Sequence, residues 1–421
     1  MRIRTLRYTF LVLVALEGPI LLAQSITVDQ CYELAKKNYP LIRQKELLVR
    51  SMEFTIANAQ SGYLPQVSIN GQATYQSEVT RLPGGALLVE PLSKDQYKVY
   101  AELNQTIYDG GAIRNQTNIQ SANTLVEQQK LEVELYKIKE RINQIFFGVL
   151  LMEAQLNQVK LLKEDLQASL VKTESAIRNG TAFRTNADIL QAELLKAEQR
   201  NIEMKAGRKA YLDMLGYFIS QPLEDGTVLE KPGANLTDPS VPIRRPELVL
   251  YQFQSELLGA QYKTAGVRNL PKLGLFLQSG YGRPALNLLK NEFDTYYLGG
   301  FRLNWSLGGL YNSKRDKQLL DVSTEVVNAQ KETFLFNTNL TLRQQSQEVV
   351  KLQALLAVDN EIIALRTRIK KTAESQHENG VISTSDFLRE INAEDTAKQN
   401  LLLHEIQLML AQYNFQTTTG N

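Results

Sequence analysis

The distribution of proline constrains this chain most strongly, because proline breaks the interior of a helix. Twelve prolines are present, but none lies between Pro91 and Pro222 and none follows Pro284. Both proline-free stretches exceed a hundred residues and are rich in Glu, Lys, Gln, Leu and Ala, which are good helix formers. The sequence therefore predicts two very long helical stretches.

Apolar residues follow a heptad pattern in the first of these stretches, which is typical of a helix packed lengthwise on a partner helix. The positions recur at alternating steps of four and three residues: Ile138, Ile142, Ile145, Val149, Met152, Leu156 and Val159. The second stretch shows a looser pattern at Leu352, Leu355, Ile362, Leu365 and Ile369. We therefore expect coiled-coil packing in both.

The order of prolines and turn residues is repeated along the chain. The matching features are Pro40 and Pro65 with Pro246 and Pro271, Tyr108–Gly111 with Ser306–Gly309, and Asn179-Gly180 with Asn379-Gly380. The two glycine-to-glycine spans, 111 to 180 and 309 to 380, are 69 and 71 residues. Two halves with the same spacing indicate a duplicated unit, and 69 helical residues would extend ~100 Å.

This pattern predicts the domain organisation. Residues 24–216 form a first repeat, with a β-hairpin at 66–108, and 246–421 form a second, with a β-hairpin at 272–307. In each repeat we expect a helix, the hairpin, a long helix and a further helix. Residues 217–245, which carry four prolines, are the expected linker. Thr27 to Gln30 fit a capping box that begins the first mature helix.

Residues 1–23 are typical of a secretory signal peptide. Arg2, Arg4 and Arg7 precede an apolar run, residues 8–16, that is too short to span a bilayer, and Ala23 offers a small residue for cleavage. The alternative is an uncleaved N-terminal anchor. We expect no later stretch to reach the roughly 20 apolar residues of a transmembrane helix. Cys31 is the only cysteine, and the Asp29-Gln30 pair before it does not resemble a lipid-attachment motif.

Composition argues against several classes of function. The chain has 47 basic and 45 acidic residues, so it has no basic excess of the kind that nucleic acid binding requires. His377 and His404 lack partners at metal-ligand spacing. No phosphate-binding loop, nucleophile elbow or zinc motif is present. We therefore expect no enzymatic activity, cofactor, metal or nucleic acid partner.

Four short segments alternate between apolar and polar residues. Their apolar faces carry Val67, Ile69, Ala73 and Tyr75; Tyr97, Val99, Ala101, Leu103 and Ile107; Leu273, Leu275, Leu277 and Tyr281; and Phe301, Leu303, Trp305 and Leu307. Each is about ten residues long, the length of a strand that crosses an outer membrane when tilted. We expect Val67, Ile69, Tyr75, Leu275, Tyr281, Phe301 and Trp305 to face lipid. The alternative is a soluble antiparallel sheet with one dry face.

Four strands are too few to close a membrane barrel, since the smallest use about eight. An open sheet edge is unstable in lipid because its backbone groups are unpaired. We therefore expect three chains to share a twelve-stranded barrel, continued by a tunnel of long helices. The predicted fold class is α+β, with two structural repeats.

Several of these segments resemble the TolC family of outer-membrane efflux proteins over about residues 25–415. The resemblance is carried by Leu34–Pro40, Leu64-Pro65, Tyr108–Gly111, Asn179-Gly180 and Ala187–Glu193, in that order and with duplication. It implies a homotrimeric, passive exit duct in the outer membrane of a Gram-negative bacterium, extending into the periplasm. It also implies two partners, a periplasmic adaptor (membrane fusion) protein and an inner-membrane pump, in efflux or type I secretion.

The resemblance further implies an aperture with acidic residues at the periplasmic end. Asp386 lies six residues after Gly380, as in the family, and three copies of its carboxylate around one axis would attract cations. Asp188 lies eight residues after Gly180, and Arg389 stands where some members carry a second acid. Ile382 replaces a gate-linking arginine. The alternative for Asp386 is a role in capping a helix.

Gly180 and Gly380 are expected to end two long helices, since a left-handed residue is favoured there. By resemblance, these turns form the tips that contact the adaptor, although plain helix capping would also explain them. The competing class of function is a soluble or surface periplasmic coiled-coil structural protein, which would not explain the four amphipathic strands. The exported substrate is not encoded in any of these patterns.

Overall fold

The computed structural model describes residues 25–80, 91–233 and 241–420, so the predicted signal peptide lies outside the described residues. Its helices are α1 (Val28–Asn38), α2 (Arg43–Gln60), α3 (Ala112–Tyr136), α4 (Ile138–Arg178), α5 (Arg184–Ile219), α6 (Pro246–Val267), α7 (Leu310–Glu378) and α8 (Thr384–Thr419). Its strands are β1 (Gln66–Tyr75), β2 (Asp95–Tyr108), β3 (Lys272–Arg283) and β4 (Asp294–Asn304). The chain is therefore mainly helical, with both hairpins where the sequence predicts them.

The two long helical stretches are confirmed, with one difference. Helix α7 is unbroken over 69 residues, whereas the first stretch is interrupted at Lys137, between α3 and α4. The neighbouring Tyr136 makes tertiary contacts: its hydroxyl donates to the carbonyl oxygen of Thr417 at 2.8 Å, and the Arg245 guanidinium lies 4.8 Å from its ring centre. Because these partners are distant in sequence, no local signal marks the interruption.

Helix α1 begins as predicted, with a reciprocal capping box. The Gln30 backbone N–H donates to Thr27 Oγ1 at 3.2 Å, and the Thr27 backbone N–H donates to Gln30 Oε1 at 3.1 Å. Contacts with distant residues hold both ends of the helix in place. Ile26, just before the helix, forms a parallel β-bridge with Leu229, and the Asn38 side-chain amide donates to the carbonyl oxygen of Ile219. Cys31 is fully buried in this helix.

The strands form one antiparallel sheet in the order β1-β2-β3-β4. Val67 is opposite Leu103, Val99 is opposite Tyr281, and the register shifts once between Thr106 and Tyr108. Strand β4 ends at Asn304, three residues before the predicted end of the second hairpin. Strands β1 and β4 are the two edges, so each has one side without a partner strand among the described residues.

One compact unit comprises residues 1–38, 140–236 and 348–413, described from residue 25 and without 234–236. It contains α1, α5, most of α4, and parts of α7 and α8. The predicted heptad positions of α4 from Ile142 onward lie inside it, with Ile142 and Val149 fully buried. The apolar heptad positions predicted in α7 are only partly buried. Leu352 is buried, whereas Leu365 and Ile369 remain 51% and 44% exposed.

The second unit comprises residues 39–139, 237–347 and 414–421 and contains the sheet, α2, α3 and α6. Residues 81–90, 237–240 and 421 of this unit lie outside the described ranges. Gln129 of α3 donates to the carbonyl oxygen of Pro246 at 2.8 Å, and Lys45 of α2 pairs with Glu132 at 3.0 Å. These contacts join α2, α3 and α6 into one bundle.

One helical region has the length and composition of a membrane span, which corrects the expectation that none would. It covers Ala112–Arg178 in the described part of the chain; its most apolar 18 consecutive residues have a mean hydropathy of 1.3, and 44% of them are buried inside the protein. Ile142, Phe146 and Val149, which are fully buried, lie in this region. Packing against neighbouring helices therefore accounts for its apolar character.

Candidate functional site

The apolar faces of the four strands form one continuous surface. The register places Ile69 opposite Ala101 and Leu275 opposite Phe301. All seven residues predicted to face lipid are exposed: Val67, Ile69, Tyr75, Leu275, Tyr281, Phe301 and Trp305. Trp305 lies just beyond β4, where its indole N–H donates to the carbonyl oxygen of Asn269 at 3.0 Å. An exposed apolar surface of this kind is typical of a lipid or protein interface.

The opposite face of the sheet is polar and internally paired. Arg302 of β4 donates to Glu102 at 3.1 Å and to Asn104 at 3.3 Å, both on β2. Its guanidinium lies 4.6 Å from the centre of the Phe276 ring on the intervening strand β3. Gly300, directly opposite Phe276, leaves room for that ring. The two faces of the sheet therefore have opposite character, as alternation predicts.

Two similar turns end the long helices α4 and α7. Gly180 and Gly380 have φ values of +76° and +70°. The N–H of each glycine donates to the carbonyl oxygen three residues earlier, and the next N–H donates to the one five residues earlier. This is a Schellman motif, which requires a left-handed residue at that position. A Cβ at either glycine would meet nothing within 4 Å, so backbone conformation rather than space demands glycine.

Large apolar residues project beside these turns, and sequence reasoning did not identify them. Phe183 is 81% exposed and Val381 is 69% exposed, three residues and one residue after their respective glycines. Their position next to a helix-ending glycine was the available signal. Exposed apolar side chains on a protruding turn suit a protein contact.

Asp386 belongs to the cap of α8. The Asp386 backbone N–H donates to Ser383 Oγ at 3.1 Å, and the Ser383 hydroxyl donates to Asp386 Oδ2 at 2.7 Å. Ser383 is therefore the cap residue, and Asp386 is its partner through both the backbone N–H and the carboxylate. The hydrogen bond from Ser383, with a smaller contribution from Arg389, holds the pKa of Asp386 below its usual value.

The structure brings only two of the three predicted aperture residues together. Arg389 Nη1 lies 3.5 Å from Asp386 Oδ1, so each carboxylate has a cation from its own chain beside it. Asp188 is exposed on α5, and no described contact joins it to Asp386 or Arg389. In a ring of Asp386 carboxylates, which the sequence predicts to attract cations, the positive charge of Arg389 would therefore oppose that attraction.

Ion pairs join α4 to α7 close to the turns. Lys172 lies 2.7 Å from Glu378 and 3.2 Å from Glu374. Hydrogen bonds to Glu378 and then to Glu374 raise the pKa of Lys172. The His377 ring stacks on Phe387 with 5.2 Å between ring centres, which adds an α7–α8 contact. These contacts hold the helices together behind the turns.

Within residues 25–80, 91–233 and 241–420, no group of three or more His, Cys, Asp and Glu side chains is arranged to hold a metal. His404 instead lies 2.6 Å from the Asp359 carboxylate. His377 contacts the carbonyl oxygen of Ile382. Each histidine therefore has a structural contact within the helical bundle.

Residues 31–226 match the model of the outer membrane efflux protein family. No curated protein matches the chain in sequence. Solved structures, however, have the same fold over nearly the whole chain. CusC, for which transmembrane channel formation is described, is 13% identical with a TM-score of 0.66, covering 93% of this chain and 91% of CusC.

Two further channels show the same similarity. The outer membrane protein VceC of Vibrio cholerae is 13% identical, with a TM-score of 0.65 over 93% of this chain and 96% of VceC. The CmeC outer membrane channel of Campylobacter jejuni is 14% identical, with a TM-score of 0.64 over 93% of this chain and 85% of CmeC. These identities are too low to transfer function, but they show a shared fold.

The family and the fold agree with the two-faced sheet and the long helices. They agree with the location expected from the sequence, which is the outer membrane of a Gram-negative bacterium with an extension into the periplasm. Over residues 31–226 the chain matches the outer membrane efflux protein family, and over nearly its whole length it has the fold of CusC, VceC and CmeC.

Proposed function

We propose that the chain forms a homotrimeric, passive exit duct that serves a tripartite efflux or type I secretion system. The observation that carries this proposal is the sheet, which has four strands, one apolar exposed face and two unpaired edges. In lipid an unpaired strand edge leaves backbone groups without hydrogen bonds, so the edges must meet other chains. Three chains supply twelve strands, and cyclic symmetry lets β1 of one chain pair with β4 of the next.

The same arrangement assigns roles to the two faces. The apolar face, which includes Ile69, Tyr281 and Phe301, contacts lipid, while the polar face with Glu102 and Arg302 lines a watery lumen. The helices and strands follow the same order in the two halves of the chain, which supports the proposed duplication into repeats 24–216 and 246–421. The channel acts without catalysis, as a shielded path whose driving force comes from a pump.

The helix turns provide the periplasmic end of this duct. Asp386 and Arg389, with Asp188, surround its aperture, and the turns at Gly180 and Gly380 dock onto a periplasmic adaptor protein. Support comes from the exposed apolar residues beside each turn and from the ion pairs that hold α4 and α7 together behind them. An inner-membrane pump bound to the adaptor completes the system.

The mass of the purified chain in detergent tests this proposal, once the bound detergent has been subtracted. We expect the mass of three chains, and discrete conductance steps when the protein is added to a planar lipid bilayer. A detergent-independent, soluble monomer or dimer would contradict the shared barrel and favour the periplasmic coiled-coil protein. A trimer that never conducts would leave the barrel intact and contradict the duct.

A further inference from the structure

A groove lies between the end of α7 and the beginning of α8, within a single compact unit. Its volume is about 550 Å³, within the range of small-molecule sites. Leu365, Ile369, Ala373 and Ile382 give it an apolar floor. Leu365 and Ile369 are only partly covered by the described helices of this chain. The floor is therefore accessible to a ligand.

Two arginines and two carboxylates line this groove, and one of the arginines has no carboxylate beside it. Arg389 lies 3.5 Å from both Asp386 and Glu390, and Glu390 lies 3.4 Å from Arg366. Arg368 also lines the groove and is exposed, yet no described carboxylate lies within ion-pair distance of it. The two carboxylates that line the groove are thus paired with Arg389 and with Arg366, which lies beside the groove, and Arg368 is left without a carboxylate partner among the described residues.

The charge pattern persists at physiological pH. Asp386 remains ionised because the hydrogen bond from Ser383, and more weakly Arg389, lower the pKa of its carboxyl group. Arginine stays protonated in proteins. The Arg389 side chain is 71% exposed, and exposed ion pairs are weak, so Arg389 can exchange its partners for an incoming anion. A guanidinium binds carboxylates in a forked geometry, which favours such an exchange.

We propose that this groove binds amphiphilic organic anions, molecules with a carboxylate or sulfonate on an apolar body, and selects them at the periplasmic entrance of the channel. The selection rests on the proposed function, because it requires the turns to surround the entrance. Arg368 attracts the anionic head, while Leu365 and Ile369 contact the apolar body. The aperture then favours anions, whereas a ring formed by Asp386 alone would favour cations.

Two probes that differ mainly in the sign of their charge test this site: 2-naphthoate and 2-naphthylmethylammonium. Equilibrium dialysis against the detergent-solubilised protein measures binding, and planar bilayers measure current block and the reversal potential in a KCl gradient. We expect tighter binding and stronger block by 2-naphthoate, and chloride to be more permeant than potassium. Arg368→Gln should weaken 2-naphthoate binding by about fivefold, the upper range for an exposed charge pair.

Lys371→Gln is the matched control, because it removes the same charge from α7 at an exposed position that does not line the groove. It should leave 2-naphthoate binding unchanged. Equal binding of the two probes, or equal effects of the two substitutions, would overturn the proposal, as would a groove already covered by a second copy of the chain. If the protein never conducts, the proposed function fails, but dialysis still decides whether the site exists.

Discussion

At the scale of single residues, burial determines the reactivity of the Cys31 thiol. Cys31, on α1, is the only cysteine, and its side chain is completely buried. Burial raises the pKa of the Cys31 thiol to about 12, because an apolar environment disfavours the charged thiolate. Cys31 therefore acts as a small apolar core residue, in agreement with its interpretation from sequence as an ordinary helix residue.

This environment predicts that Cys31 of the folded protein resists alkylation. N-ethylmaleimide reacts with thiolates, and burial raises the pKa of the Cys31 thiol to about 12, so little of it is ionised at pH 9. In the unfolded chain the thiol titrates near ~8.5, so labelling should become rapid above that pH. Mass spectrometry after treatment at pH 9, with and without guanidinium chloride, measures the difference. Equal labelling under both conditions would show that α1 does not protect the thiol.

At the scale of elements, the junction between β2 and α3 shows how backbone conformation joins a strand to a long helix. Gly110 and Gly111 have φ values of +72° and +84°. Asp109 accepts hydrogen bonds from the backbone N–H groups of Gly111 at 2.8 Å and Ile113 at 2.6 Å. These bonds satisfy amide groups that the first turn of a helix leaves unpaired. The matching Ser306–Gly309 segment leads into α7.

Gly110→Ala should destabilise this junction by about 1–3 kcal/mol, because a left-handed conformation is strained for alanine. The added Cβ would also lie 2.8 Å from Leu270 Cβ. Gly226→Ala is the matched control, since its Cβ would meet nothing within 4 Å, and it should change stability by less than ~0.5 kcal/mol. Thermal unfolding followed by circular dichroism in detergent compares the two. Identical midpoints would rule out strain at Gly110.

At the scale of the whole molecule, the proposed channel assembly and the proposed adaptor docking involve different surfaces. The sheet edges and the exposed apolar face serve the proposed barrel, whereas the turns after α4 and α7 serve the proposed docking. Phe183 and Val381 contribute to the second surface only, since both lie on the turns. The two functions can therefore be separated by substitution.

The double substitution Phe183→Asp and Val381→Asp should abolish capture of the cognate adaptor, because it places two charges on an apolar contact. The trimer mass and conductance should be unchanged, since neither side chain belongs to the sheet. Tyr217→Asp is the control: it replaces another exposed residue, at the opposite end of α5 from Phe183. Co-purification from detergent extracts measures adaptor binding. An adaptor complex that survives the double substitution would place docking elsewhere.

Much of the fold was predictable from sequence, because its signals are local. The absence of proline predicted the long helices, alternation predicted the four strands, and Gly180 and Gly380 predicted the turns. The capping box at Thr27 was likewise identified from four consecutive residues. Each of these features depends on the propensity or spacing of neighbouring residues, which a single sequence contains.

The candidate site was less predictable, because it depends on contacts between separate elements. Sequence spacing identified Asp386 and, one helical turn later on α8, Arg389, but only the packing of α7 against α8 brings Arg368 to the same groove without a described carboxylate partner. Likewise, no local pattern revealed that Arg302 would bridge to Glu102 across β3. By itself the sequence determined the helices, strands and turns, through local backbone preferences and hydrophobic period. Only the tertiary structure decided which charges are paired and which apolar faces remain exposed, because both depend on packing between distant segments.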